Sequence, residues 1–258
     1  METPSDRRYL FNADAVALGG IITHPFCDVI ESQASAVLPI TGGYGTARVG
    51  KFHFRDLVSF ESATSTVSGS ELEEGENSIL HTLSTVIVEG LNVANVVTAD
   101  AVVARLVSRF DSQTGRSVIH PVGSNFVNLR IAGTRIDPPH RKSSFATDEV
   151  RSRSSMEADA SAGNQALGAA RGQRALSYLF DVHGDHHQGP DRGDKLPPGC
   201  DERGEGGIRV PGFGTIFLGE YLVSRDSARL SMLRIEMGCP VKGTVTANFV
   251  GGGGSTYP

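Results

Sequence analysis

The chain has 258 residues, with 24 basic against 29 acidic side chains, 31 glycines, 12 prolines and no tryptophan. Its near balance of charge excludes a nucleic-acid or anionic-membrane surface built on bulk positive potential. Three scattered cysteines, Cys27, Cys200 and Cys239, exclude a disulfide framework and any CxxC zinc ribbon.

No leader is visible at the start, because the apolar stretch from Ala15 to Ile22 is short and glycine-rich for a signal core. No apolar run approaches the roughly 20 residues of a spanning helix, so no membrane span is expected. As given, the chain reads as cytoplasmic. From about residue 12 the dominant period is two, the mark of strands with one buried face. Ala36 to Ile40 is followed by a turn at Gly42-Gly43-Tyr44-Gly45, and a strand is predicted over Arg48 to Phe60. There Phe52, Phe54, Val58 and Phe60 would share one face, with Lys51, His53, Arg55 and Ser59 on the other. Glu71, Glu73, Glu74 and Glu76 mark a solvated hairpin tip, and strands follow at 82–89 and 91–97.

The stretch Ala99 to Phe110 carries a helical stripe, but its valines and its Gly- and Asp-rich flanks favour a strand. Another strand is expected over Phe126 to Ile131. The pattern stops between Pro138 and Arg174, which reads as a mobile insertion (138–174) rich in Ser, Ala and Arg. His183 to Gly207 is a second irregular stretch. Strands resume at Thr215 to Val223, Leu233 to Met237 and Thr244 to Val250, and residues 251–258 read as a flexible glycine tail. The alternative for that tail is docking of Tyr257 on its own sheet or on a neighbour.

These elements predict an all-β chain: an antiparallel β-sandwich or barrel-like domain with a looped-out middle insertion. It would be one domain over 9–258, assembled from 12–136 and 175–250. Each sheet buries only one face, so the two blocks need one another.

The best metal candidate is the loop holding His183, Asp185, His186 and His187, with Asp181, Asp191, Asp194 and Cys200 nearby. Imidazoles and carboxylates so close in sequence can meet one divalent ion, although the spacing fits no closed zinc pattern. Glycine motifs fail: Gly212-Phe-Gly214-Thr-Ile-Phe217 has Phe where a dinucleotide fingerprint needs glycine. No nucleophile elbow occurs, and His24, His53, His81, His120 and His140 are isolated in sequence.

Three phrases occur in a recognisable order: Gln33-Ala-Ser-Ala-Val-Leu-Pro-Ile-Thr-Gly42, then Glu89-Gly-Leu-Asn-Val93 with Val97-Thr-Ala-Asp-Ala-Val-Val-Ala104, then Val127-Asn-Leu-Arg-Ile-Ala-Gly-Thr134. In that order they resemble the bacterial choice-of-anchor P family and related β-rich proteins, over about 34–136, with an echo over 209–240. The resemblance implies an extracytoplasmic β module without a known activity, and it supplies no catalytic residues.

The expected function is a non-enzymatic structural or interaction module, self-associating or bound to a protein partner, with no nucleic acid and no resident cofactor. Two alternatives stand beside it. One is a metal-dependent protein or hydrolase using the His183–His187 loop. The other is a carbohydrate-binding sandwich, for which only Tyr44, Tyr178, Tyr221 and Tyr257 offer stacking rings in a chain without tryptophan.

Overall fold

The structure is a computed structural model that describes residues 8–74, 77–140, 175–180, 196–203, 206–224 and 227–257. Every element among them is a strand, and every ladder is antiparallel. The chain begins in a first sheet with β1 (Arg8–His24), β2 (Asp28–Gln33) and β3 (Ala36–Val37). It crosses to a second sheet for β4 (Gly43–Val49), β5 (Phe52–Phe54), β6 (Val58–Phe60), β7 (Ser62–Glu74), β8 (Asn77–Val93) and β9 (Val97–Asp111). The short strands β10 (Arg116–His120), β11 (Asn125–Val127) and β12 (Arg130–Ile131) lie in turn against β9, and β13 (Thr134–Arg135) against β12.

The chain then returns to the first sheet. It adds β14 (Ala175–Tyr178), β15 (Asp201–Arg203), β16 (Gly207–Val210), β17 (Gly214–Val223), β18 (Ser227–Met237) and β19 (Lys242–Tyr257). The order across the first sheet is β15-β16-β17-β18-β19-β1-β2, so the last strand pairs with the first in its middle. The two sheets pack face to face as a sandwich, and no closed barrel forms among the described residues.

The core follows from period-two patterning. In β9, Val102, Ala104, Leu106, Ser108 and Phe110 are buried, while Arg105 and Arg109 are exposed. Opposite them β1 contributes Phe11, Ala13, Ala15 and Leu18, and β19 contributes Val245, Ala247 and Val250. The stretch that was ambiguous between helix and strand is β9, in which every second residue from Val102 to Phe110 is buried.

Three expectations are corrected. Residues 51–60 are not one strand: β5 folds back on β6 in the register that also joins Val49 to Ala63, with Phe52 opposite Phe60. The turn is at Arg55, whose φ is 50°, and the Phe52 and Phe60 rings stack at 5.1 Å. Residues 126–131 are likewise split by Asn128, with φ 52°, into β11 and β12. The third concerns the glycine tail. Gly251–Gly254 is an interior stretch of β19, paired on one side with Phe11–Asp14 and, through Gly253, on the other with Ser227–Arg229. All four glycines are buried; Asp14 and Tyr9 of β1 occupy the space that Cβ atoms of Gly251 and Gly254 would fill, and Leu106 of the second sheet lies 3.3 Å from that of Gly252. The predicted insertion lies outside the described residues from 141 to 174, and His140 before it bridges Phe180 after it.

A crease runs across the first sheet. The registers of β17 with β18, β18 with β19, and β19 with β1 step over Gly219, Met232, Asn248 and Ala17. Beyond it the inward-facing parity changes on every strand. Gly219 and Asn248 both take left-handed backbone there, with φ 64° and 53°.

Candidate functional site: an open sheet edge

The sheet edges differ in how they are protected. β2 carries Asp28 and Glu31, and Arg55 reaches across from the second sheet to Asp28 at 3.1 Å. β15 is three residues long, Asp201, Glu202 and Arg203, and all are charged. The far side of β9 is broken into pieces of five, three and two residues. Short strands and charges are the means by which natural sheets keep edges from pairing with other chains.

Among the described residues β4 has less such protection, with one charge, at Arg48. Its seven residues, Gly43-Tyr-Gly-Thr-Ala-Arg-Val49, contain no proline and no acid. They pair with β7 along their whole length, and among the described residues no strand pairs with their other side. The sequence builds this locally. Gly42, with φ 85°, donates its N–H to Pro39 O at 2.9 Å in the turn that hands the chain from one sheet to the other. At Gly45 a Cβ would stand 2.9 Å from Val67 Cγ2 and 3.1 Å from the Val37 carbonyl, so the strand passes close to β3 there.

Tyr44, Thr46 and Arg48 face outward and are exposed, opposite Ser68, Thr66 and Thr64 of β7. Thr46, Thr66 and Thr85 form a row across three strands, and Thr46 Oγ1 donates to Ser65 O at 3.2 Å. Val37, Ile40 and Tyr44, exposed at 67%, 63% and 65%, form an apolar rim where the edge begins.

Two shallow depressions lie among the described residues. One depression of about 220 Å³ lies between the turns at Val210–Gly214 and Gly238–Cys239. A second, about 210 Å³, collects His53, Asp56, Ser59, Asn92 and Asn95. It brings together a Ser/His/Asp set that sequence spacing left isolated, with Ser59 opposite His53 in register. His53 Nε2 is 3.8 Å from Asp56 Oδ1, and both side chains are more than half exposed. An activated nucleophile needs a base oriented by a sheltered carboxylate, and this geometry does not provide one. Asn92 and Asn95 are occupied with each other, Nδ2 donating to Oδ1 at 2.8 Å.

His183, Asp185, His186 and His187 lie outside the described residues, as do Asp181, Asp191 and Asp194. Cys200 is half-buried, its thiol pushed up by burial and by the neighbouring Asp201 carboxylate. Among the described residues no three His, Cys, Asp or Glu side chains are arranged to hold a metal ion. Of the tyrosines considered for sugar stacking, Tyr178 and Tyr221 are buried and Tyr44 is exposed. Tyr221 instead donates its hydroxyl to Ile119 O at 3.0 Å, linking the two sheets, and burial raises its pKa.

Charges on the outer face of the first sheet tie strands together. Arg234 of β18 grips Glu220 of β17 with two hydrogen bonds, at 2.6 and 2.8 Å, and lies 3.9 Å over the Phe217 ring. Asp14 sits in the row Asp14–Gly251–Arg229 across β1, β19 and β18. Burial raises the pKa of its carboxyl, and the Arg229 guanidinium partly offsets that. The folded state therefore binds this proton more tightly than the unfolded chain. Stability from this group is greatest below the ordinary carboxylate range and falls as pH rises through the raised value. Asp14→Asn should accordingly flatten the pH dependence just above that range and raise the neutral-pH melting temperature. A thermal-unfolding series against pH reads this directly.

Sequence reasoning read Gly42–Gly45 only as a turn and so missed β4 as an edge. The available signal was the alternation of Tyr44, Thr46 and Arg48, which begins inside that expected turn. Among known families, the model described as Domain of unknown function (DUF8256) matches residues 9–180, from β1 through β14. No curated protein and no solved structure matches the chain.

Proposed function

The chain belongs to the family Domain of unknown function (DUF8256), whose description gives no activity, and from its geometry we propose a non-enzymatic interaction module that engages a protein partner by strand addition along β4. The observation that carries this reading is a seven-residue strand paired with β7 on one side and, among the described residues, open on the other, while other edges are short or charged. Main-chain groups along such an edge supply affinity, and alternate side chains supply selectivity. The small, shallow depressions favour a broad contact over a buried substrate. A β module without a known activity is also what the resemblance to choice-of-anchor P proteins implies.

The test places a photo-reactive side chain at Gly50, just past β4, where a Cβ meets nothing within 4 Å. A control goes at Glu202 on the charged edge. Irradiation in cells that make the protein should give a discrete protein adduct from position 50 and none from position 202. No adduct from position 50 would retire the reading.

A further inference from the structure

We infer that the strand received at this edge is β4 of a second copy of the same chain, paired antiparallel about a two-fold axis through Thr46. The inference rests on the edge-binding reading above and specifies its partner. In this register Tyr44 of each copy lies opposite Arg48 of the other, and Thr46 opposite Thr46. Both Tyr44 and Arg48 are exposed on the same outward face of β4. An aromatic ring opposite a guanidinium is a favourable cross-strand pair.

The other face of the strand also fits itself. Gly45 meets Ala47 of the second copy, so no bulky side chains collide on the inward side. The threonine row continues unbroken, since Thr46 already stands beside Thr66 and Thr66 beside Thr85. Threonine pairs on neighbouring strands are favourable. β4 carries one charge, at Arg48, and this register keeps the two arginines apart, each beside a tyrosine, whereas a two-fold through Arg48 would set them face to face. Pairing joins the second sheets of two sandwiches into one continuous sheet and removes both open edges, which is the isologous closure expected of a two-fold dimer. Val37 and Ile40, exposed beside the start of β4, add apolar area to the contact.

The experiment uses the full chain in sedimentation velocity and light scattering across micromolar concentrations. A dimer is expected. Thr46→Lys, which sets two like charges face to face on the axis, should weaken it by at least about tenfold. Its circular dichroism should stay that of the parent, because Thr46 is exposed, while its melting temperature should lose the concentration dependence that dimerisation gives the parent. Thr46→Cys, with Cys27, Cys200 and Cys239 replaced by Ser, should form an intermolecular disulfide under mild oxidation. Directly opposed strand residues fall within disulfide reach.

A monomer at every concentration would overturn the inference, as would a dimer that Thr46→Lys leaves intact. The Gly50 adduct separates the two claims. A monomer that cross-links to a different protein removes the second copy and keeps the edge reading. A monomer that yields no adduct removes both.

Discussion

Gly254→Val should destabilise the protein by about 3 kcal/mol and lower its melting temperature by roughly 6–12 °C. In β19 a Cβ at this position would stand 2.3 Å from the Tyr9 hydroxyl oxygen and 2.7 Å from the Leu10 carbonyl. Neither neighbour can move away cheaply. Leu10 pairs with Ser255 of β19, and the N–H of the next residue, Phe11, is held by Ile40 O at 3.0 Å. The Tyr9 ring is packed against Phe11 at 5.0 Å and Phe110 at 4.9 Å. Two extra methyl groups add to that overlap. The neighbouring Ser255 is exposed in the same strand, so Ser255→Val should stay within about 0.5 kcal/mol. Thermal or denaturant unfolding of the two variants separates an interior strand from a loose tail, for which neither substitution would matter.

That contrast shows what the sequence could and could not reveal. β17 and the second half of β18 were legible because apolar and polar residues alternate over Thr215–Val223 and Leu233–Met237, and β9 was read as a strand on its valines and its Gly- and Asp-rich flanks. The glycine run was not, because Gly251–Gly254 has no side chains from which to read a period. What makes it a strand is the company of Phe11–Asp14 and Ser227–Arg229, far away in the chain. The β5–β6 hairpin misled for a different reason. Phe52, Phe54, Val58 and Phe60 keep their parity across the turn, so the alternation survives while the chain reverses.

Parity also breaks at the crease through Gly219, Met232, Asn248 and Ala17. A single-strand reading sees an apolar pair there, such as Met232-Leu233, and has no means of aligning it with the other strands. The candidate site was hidden for a topological reason. β4 is an edge because no described strand lies beyond it, and only the sheet order shows that. The histidine loop, the clearest chemical cluster in the sequence, falls outside the described residues.

Asn248→Leu is the second substitution with a large expected effect, about 2–4 kcal/mol and roughly 5–15 °C in melting temperature. Asn248 is fully buried in the crease with φ 53°, a conformation asparagine tolerates and leucine does not. Forcing a branched aliphatic residue into it costs of order 1–2 kcal/mol. The side-chain amide also donates across the sandwich to Val102 O at 2.5 Å and to Val86 O at 3.3 Å. Each lost bond contributes about 0.5–1.5 kcal/mol more.

Two companions divide these contributions. Asn248→Gly keeps the left-handed backbone and loses only the bonds and a small volume, so it should cost about half as much as the leucine variant. Asn248→Asp places a carboxylate against two carbonyl oxygens in a dry interior and should be the worst at neutral pH. Burial raises the pKa of such a group, so stability should return as pH falls, opposite to ordinary acid denaturation. Equal costs for the glycine and leucine variants would mean that hydrogen bonding alone holds the crease. A neutral leucine variant would mean that the amide neither sets the backbone nor joins the sheets. The ordering Asp, Leu, Gly from most to least damaging is what a residue with both tasks requires, and urea midpoints at two pH values read it.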